Sequence, residues 1–140
     1  MRIAVAVMIA FAAACSADVS NPHPAHQVSV LATLGGRGAT GDMVNIRMTN
    51  SGTADAYLAV CGESPRILTQ QFNGTTWTGG VQNFVCAQAL SGPLVLAAGS
   101  SITTTLVFET AGRFRFLISV STSPNGGDAQ QAVSNALDVP

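Results

Sequence analysis

From residue 28 to the carboxyl end, apolar and polar side chains alternate, and clusters of Gly, Asn, Asp and Ser break the alternation about every eight to twelve residues. A repeat of two puts successive side chains on opposite faces of an extended chain, whereas a helix would need a repeat near 3.6. The pattern therefore predicts strands throughout. Val28, Val30, Ala32 and Leu34 share one face ahead of the turn Gly35-Gly36-Arg37-Gly38. After Gly41-Asp42, Val44, Ile46 and Met48 point one way and Asn45, Arg47 and Thr49 the other, as far as Asn50-Ser51-Gly52. Residues 57–60 form a short third strand entering Cys61-Gly62. Residues 66–72 and 75–78 flank Asn73-Gly74, a pair that tolerates positive φ and so suits a two-residue hairpin turn.

Gly79-Gly80 opens a less regular stretch through Phe84 and Cys86, and residues 94–96 lead into the turn Ala97-Ala98-Gly99-Ser100. The clearest alternation follows, with Ile102, Thr104, Leu106 and Phe108 on one face and Thr103, Thr105, Val107 and Glu109 on the other. Phe114, Phe116, Ile118 and Val120 then face inward while Arg113 and Arg115 face out; residues 121–130 are a polar loop, and Val133, Leu137 and Val139 mark a closing strand. The expected fold is all-β: an antiparallel β-sandwich of about seven to eight strands over residues 28–140.

Composition agrees with that pattern. Hydrophobic residues are 47% of the 140, with 14 glycines, which is too apolar for disorder and rich in turn formers. A single domain of this size can build its core without a metal. Formal charge is −1, only 9% of residues are charged and Lys is absent, so no cationic field exists to hold nucleic acid.

The amino end carries a different signal. Arg2, an uncharged run over 3–14 and then Cys15 follow the basic, apolar, small-residue order of a secretory signal peptide, and the run is too short to span a bilayer. Ala12-Ala13-Ala14-Cys15 resembles a bacterial lipobox, although Ala12 stands where Leu is usual. The expectation is a signal peptide over 1–14, lipidation at Cys15 and an extended tether to residue 27. The alternative is cleavage by the general signal peptidase after Ala17, with Cys15 lost. Removing Cys15 leaves the pair Cys61 and Cys86 in an oxidising compartment, where a disulfide is expected. The protein is thus expected to be exported and held at the periplasm or cell surface by its lipid.

Several chemistries are missing. Without Lys there is no Ser-Lys dyad, Schiff base or phosphate-loop ammonium. Gly36 and Gly41 have phosphate-loop spacing, but Asp42 stands where Lys must be, so the segment reads as a turn. The run Gly62-Glu63-Ser64-Pro65-Arg66 begins like a nucleophile elbow, yet Arg66 replaces the second Gly and Pro65 lacks an amide hydrogen. His23 and His26 could supply at most half of a four-ligand metal site, and no His follows them. No catalytic residue, metal or cofactor is therefore assigned. Binding remains, and loops at the ends of a sandwich are its usual place. Trp77, Asn73 and Arg66 are the candidate binding residues; for Trp77 the competing role is packing in the core or on a sheet face.

The strand ending at Asn50, Cys61-Gly62, Asn73-Gly74 with Trp77, Cys86, the Ala98-Gly99 turn, Gly112-Arg113-Phe114-Arg115 and Val133-Ser134-Asn135 together resemble the immunoglobulin-like domains of exported bacterial lipoproteins. The resemblance covers residues 28–139 and implies an architecture more than an activity. On it rests the expected function: a noncatalytic envelope lipoprotein whose domain is a protein-binding or structural module, with another envelope or extracellular protein as partner. The alternative is a secreted proteinase inhibitor presenting residues 61–66 to a trypsin-like pocket through Arg66.

Overall fold

A computed structural model describes residues 22–82 and 92–140. The signal peptide, Cys15 and Cys86 lie outside the described residues. In chain order the strands are β1 (Val28–Arg37), β2 (Asp42–Asn50), β3 (Ala56–Leu58), β4 (Val60–Cys61), β5 (Ser64–Pro65), β6 (Ile67–Phe72), β7 (Trp77–Gln82), β8 (Leu94–Leu96), β9 (Ser101–Phe108), β10 (Gly112–Ser121), β11 (Gln130–Val133) and β12 (Leu137–Val139). They build an antiparallel sandwich, with no helix among the described residues. One sheet has three strands in the order β1-β2-β9; the other has seven and is organised around β10.

The alternation seen in the sequence becomes the core. Val28, Val30 and Ala32 of β1 and Val44, Ile46 and Met48 of β2 are buried, facing Phe114, Phe116, Ile118 and Val120 of β10 with Leu58 and Ile67. Phe108 from the smaller sheet meets Phe114 and Phe116 from the larger at centroid distances of 4.7 and 5.8 Å, so an aromatic cluster joins the two layers. Each fully buried side chain of this kind contributes roughly 1.5–3 kcal/mol relative to exposure. Outward-facing positions of β9 and β2 are threonine-rich and bonded to one another, as in Thr49–Ser101 (2.8 Å) and Thr105 to Asn45 (2.7 Å).

No single strand covers either edge of β10. Along one edge β3 pairs Tyr57 with Ser121 and Leu58 with Val120, and β6 resumes the same register with Ile67 opposite Ile118. Between them residues 60–66 leave the sheet as a small hairpin, β4 with β5, whose foot is closed by the Arg66 amide donating to the Ala59 carbonyl at 2.7 Å. Along the other edge β11 ends with Val133 opposite Leu117, and β12 resumes with Leu137 opposite Phe114. Residues 134–136 make a bulge there, which re-aims side chains as bulges do. Ser134 accepts from the Phe116 amide through Oγ (2.9 Å), and its own amide donates to the Phe116 carbonyl (2.9 Å). Asn135 turns its carboxamide onto the edge of β1: Oδ1 accepts from the Ala32 amide at 2.8 Å and Nδ2 donates to the Ala32 carbonyl at 3.0 Å. One side chain thus takes the place of a neighbouring strand and fastens the sheets together.

Four expectations need correction. The tether does not continue to residue 27: His23 pairs with Val133 through backbone bonds of 2.9 and 2.8 Å, and Ala25 pairs with Val28. The chain docks because β11 offers an open edge, and the turn that carries it across to the other sheet puts His26 (φ 46°) and Gln27 (φ 62°) in the left-handed region. Leu34 keeps the register of the inward set, opposite Val44, but is 48% exposed, since β1 is exposed from Thr33 to its end. The Asn73-Gly74 hairpin is wider than two residues: Phe72 opposite Trp77 is the last pair, and Asn73 Oδ1 accepts from the amides of Thr75 (3.0 Å) and Thr76 (2.8 Å). A side-chain acceptor that satisfies two turn amides makes the longer loop stable. The strands number twelve among the described residues, because residues 60–66 add the two short strands of the β4–β5 hairpin and the bulge at residues 134–136 splits the closing strand into β11 and β12. The phosphate-like spacing is indeed a turn: a Cβ at Gly41 would lie 2.2 Å from the Phe108 carbonyl oxygen, so the glycine is there for close approach.

Asn135→Ala should leave the Ala32 amide and carbonyl without their partners at a partly buried edge, costing about 1–3 kcal/mol. Urea denaturation should show a lower midpoint with an unchanged slope; a midpoint equal to wild type would mean the carboxamide does not fasten the sheets.

Candidate functional site

The outer face of the larger sheet is built from alternate residues of its strands. Because Phe114, Phe116 and Ile118 are inward, Arg113, Arg115, Leu117 and Ser119 of β10 are outward, and the register places Gln70 beside Arg115, Leu68 beside Leu117 and Gln131 beside Ser119. Tyr57 and Ala59 continue the face beyond the β4–β5 hairpin, with Ala59 donating its amide to the Ser119 carbonyl at 3.1 Å.

At one end of this face stands Trp77, half-buried at the start of β7. Phe72, its cross-strand partner, lies 5.3 Å away between ring centroids, and the Arg115 guanidinium sits 4.6 Å from the indole centroid. Arg115 Nε also donates to Gln70 Oε1 at 2.7 Å. Partial burial among these groups lowers the Arg115 pKa from its ordinary value. Trp77 is therefore packed on the sheet surface, with its ring in contact with Phe72 and Arg115, and is not in the core.

The middle and other end of the face are hollowed. One depression, of about 220 Å³, is lined by Ala59, Arg66, Leu68, Ser119 and Gln131. A second, of about 130 Å³, shares Ala59 and Ser119 with the first and runs on past Tyr57 to Pro124 and Asn125 of the loop after β10. The small side chains of Ala59 and Ser119 make the floor, so the two depressions form one trough. Among the described residues its lining includes a guanidinium, hydroxyls and carboxamides, and no carboxylate.

The loop that walls the trough is organised by Asp128. Its carboxylate accepts from the hydroxyls of Ser121 and Thr122 and from the Thr122 amide (3.1 and 3.2 Å). These bonds, the Ser121 hydroxyl first, hold its carboxyl well below the usual carboxylate range. His26 Nε2 lies 2.8 Å from the Asp128 carbonyl oxygen and 3.6 Å from its carboxylate, so the docked amino-terminal turn and the loop brace each other.

The structure brings Arg66 and Trp77 onto one face of one sheet, near its two ends. Asn73 lies at the tip of the β6–β7 hairpin, with its side chain committed to the turn. Cys61 is buried in the β4–β5 hairpin, which folds back on itself with Cys61 opposite Ser64 and Val60 opposite Pro65. A protease cleft takes an extended, projecting segment; here Pro65 is buried and Arg66 stands at the hairpin's foot. His23 and His26 are held by separate partners, Val133 and Asp128. Among the described residues no group of three or more His, Cys, Asp or Glu side chains is arranged to hold a metal. Ala59, Ser119 and Gln131 carry no signal in the sequence, since each is an ordinary outward position and only the interruption between β3 and β6 by residues 60–66 aligns them. No protein-family model matches the chain, and no curated protein is significantly similar to it.

Asp128 gives a pH signature. Because its carboxyl titrates lower when folded than when unfolded, the stability it supplies is complete above the ordinary carboxylate value of about 4 and is lost as pH falls through and below it. Asp128→Asn should lower the unfolding midpoint at neutral pH and narrow its gap from wild type as the medium is acidified; thermal denaturation of both proteins between about pH 7 and 2 measures this, and a gap that widens in acid would refute the assignment.

Proposed function

We propose that the protein is a noncatalytic, exported lipoprotein, anchored at the cell envelope through Cys15, whose immunoglobulin-like sandwich is a protein-binding module. The observation that carries the reading is the carboxylate-free trough on a solvent-facing sheet surface, bordered by the Trp77–Arg115 cluster. The sequence points to recognition at end loops; the geometry favours the sheet face, since Asn73 is absorbed by its own turn and the loop of residues 122–129 is fixed by Asp128 as the wall of the trough. A rigid β surface with a few convergent polar groups recognises a partner at little ordering cost. The Cys61–Cys86 disulfide belongs to the same proposal. It would pin the β4–β5 hairpin that displaces β6 from β3, and closing a loop of about 25 residues is worth roughly 3 kcal/mol.

Two measurements test this. Intact-mass spectrometry of protein purified from its own envelope should show an acylated amino terminus at Cys15 and a mass lower by about 2 Da than after reduction. A chain starting at Asp18 would refute the anchor. Formaldehyde cross-linking in whole cells should give a discrete adduct with another protein; its absence would refute the binding reading.

A further inference from the structure

The trough is the part of the molecule whose chemistry is specific enough to name a ligand class. Its two depressions, about 220 and about 130 Å³, are each below the roughly 300–1,000 Å³ of pockets that enclose a small molecule. They are sized for side chains and open along the sheet, so what fits is an elongated ligand laid across the floor of Ala59 and Ser119. The lining is half apolar, through Ala59, Leu68, Tyr57 and Pro124, and half neutral polar, through Ser119, Gln131 and Asn125. Among the described residues that line it, Arg66 is the one that carries a charge.

Charge placement on the domain is uneven. Three of the arginines, Arg66, Arg113 and Arg115, share this face, whereas Asp42 and Glu109 flank the β2–β9 end of the smaller sheet; Glu63 is exposed at the tip of the β4–β5 hairpin, and Asp128, in the loop that walls the trough, has its carboxylate taken up by the Ser121 and Thr122 hydroxyls. Asp138 also reaches the face, but it lies beside Arg113, 3.9 Å away, and outside the trough. Residues 83–91 contain no charged side chain, so they do not alter this balance.

We infer that the trough binds an extended segment of a partner protein that carries an aspartate or glutamate, with that carboxylate paired to the Arg66 guanidinium. This rests on the binding-module reading above. Guanidinium and carboxylate match as a two-point, charge-assisted pair, while small residues on the floor let the segment's backbone approach the sheet. The segment's neighbouring side chains lie against Leu68 on one side and Tyr57 on the other. Binding of this kind depends on salt, because Arg66 is exposed.

The test uses the full exported chain with a photo-reactive residue at Ser119, or at Thr103 on the outer face of the smaller sheet as a control, together with Arg66→Gln. The expected result is a protein adduct from position 119, mapped to a fragment containing Asp or Glu, at least about tenfold stronger than from position 103 and reduced about tenfold by Arg66→Gln. In parallel, the isotopically labelled protein is titrated with N-acetyl-aspartate N-methylamide and with its asparagine counterpart at millimolar concentration. Amide shifts at Ala59, Ser119 and Gln131 should appear with the aspartate compound, and Arg66→Gln should abolish them. An adduct only from position 103, an adduct from 119 indifferent to Arg66→Gln, an adduct with lipid or glycan, or equal shifts from both compounds would overturn the inference. If formaldehyde still captures a protein while position 119 does not, the trough is the wrong surface and the binding reading stands; if neither captures one, the binding reading falls as well.

Discussion

A strand in the middle of a sheet must find a partner for every backbone amide and carbonyl on both edges, and β10, ten residues long, sets that demand here. None of its neighbours is long enough to meet it. Each edge is instead completed by two short strands with an irregularity between them: the hairpin of residues 60–66 on one side, the bulge of residues 134–136 on the other. Most of what distinguishes this domain from a plain sandwich follows from those two interruptions. The first pushes Arg66 to the rim of a trough and buries Cys61. The second frees Asn135 to act as a substitute strand against β1, so that the two layers are joined by directed bonds as well as by burial of Phe108, Phe114 and Phe116.

The architecture was legible because burial imposes a period of two, and that period survives in the sequence wherever one face is apolar. The inward sets Val44, Ile46, Met48 and Phe114, Phe116, Ile118, Val120 were readable for that reason. The irregularities were not. A bulge adds one residue and shifts the phase, which in composition looks the same as a strand end; residues 133–139 accordingly read as one closing strand. The wide Asn73 turn is not legible because Asn-Gly suits a tight hairpin equally well, and what decides between them is whether the Asn carboxamide takes the turn amides. The docking of His23 was invisible for another reason. Its bonds are between backbones, and two prolines with two histidines look the same whether or not a sheet edge waits nearby.

The candidate site was legible only in pieces. Arg66 and Trp77 stood out as rare residue types, while Ala59 and Ser119 did not, although the floor they form is what makes the surface concave. A small residue is informative only when its neighbours across the sheet are known, and the register joining Ala59, Ser119 and Gln131 is a long-range property. Trp77 shows the converse: a residue type favoured at interfaces has its ring occupied by Arg115 and Phe72, and it serves the surface by rigidity.

The pairing of His23 with Val133 also fixes a length. On the proposed lipidation of Cys15, only residues 16–22 would separate the bilayer from the His23–Val133 backbone bond. Seven residues fully extended reach at most roughly 25 Å, less than the roughly 30 Å thickness of the hydrocarbon layer itself. A domain held in that way would search a thin shell of space, which would raise the effective concentration of partners in the same membrane and leave distant ones out of reach.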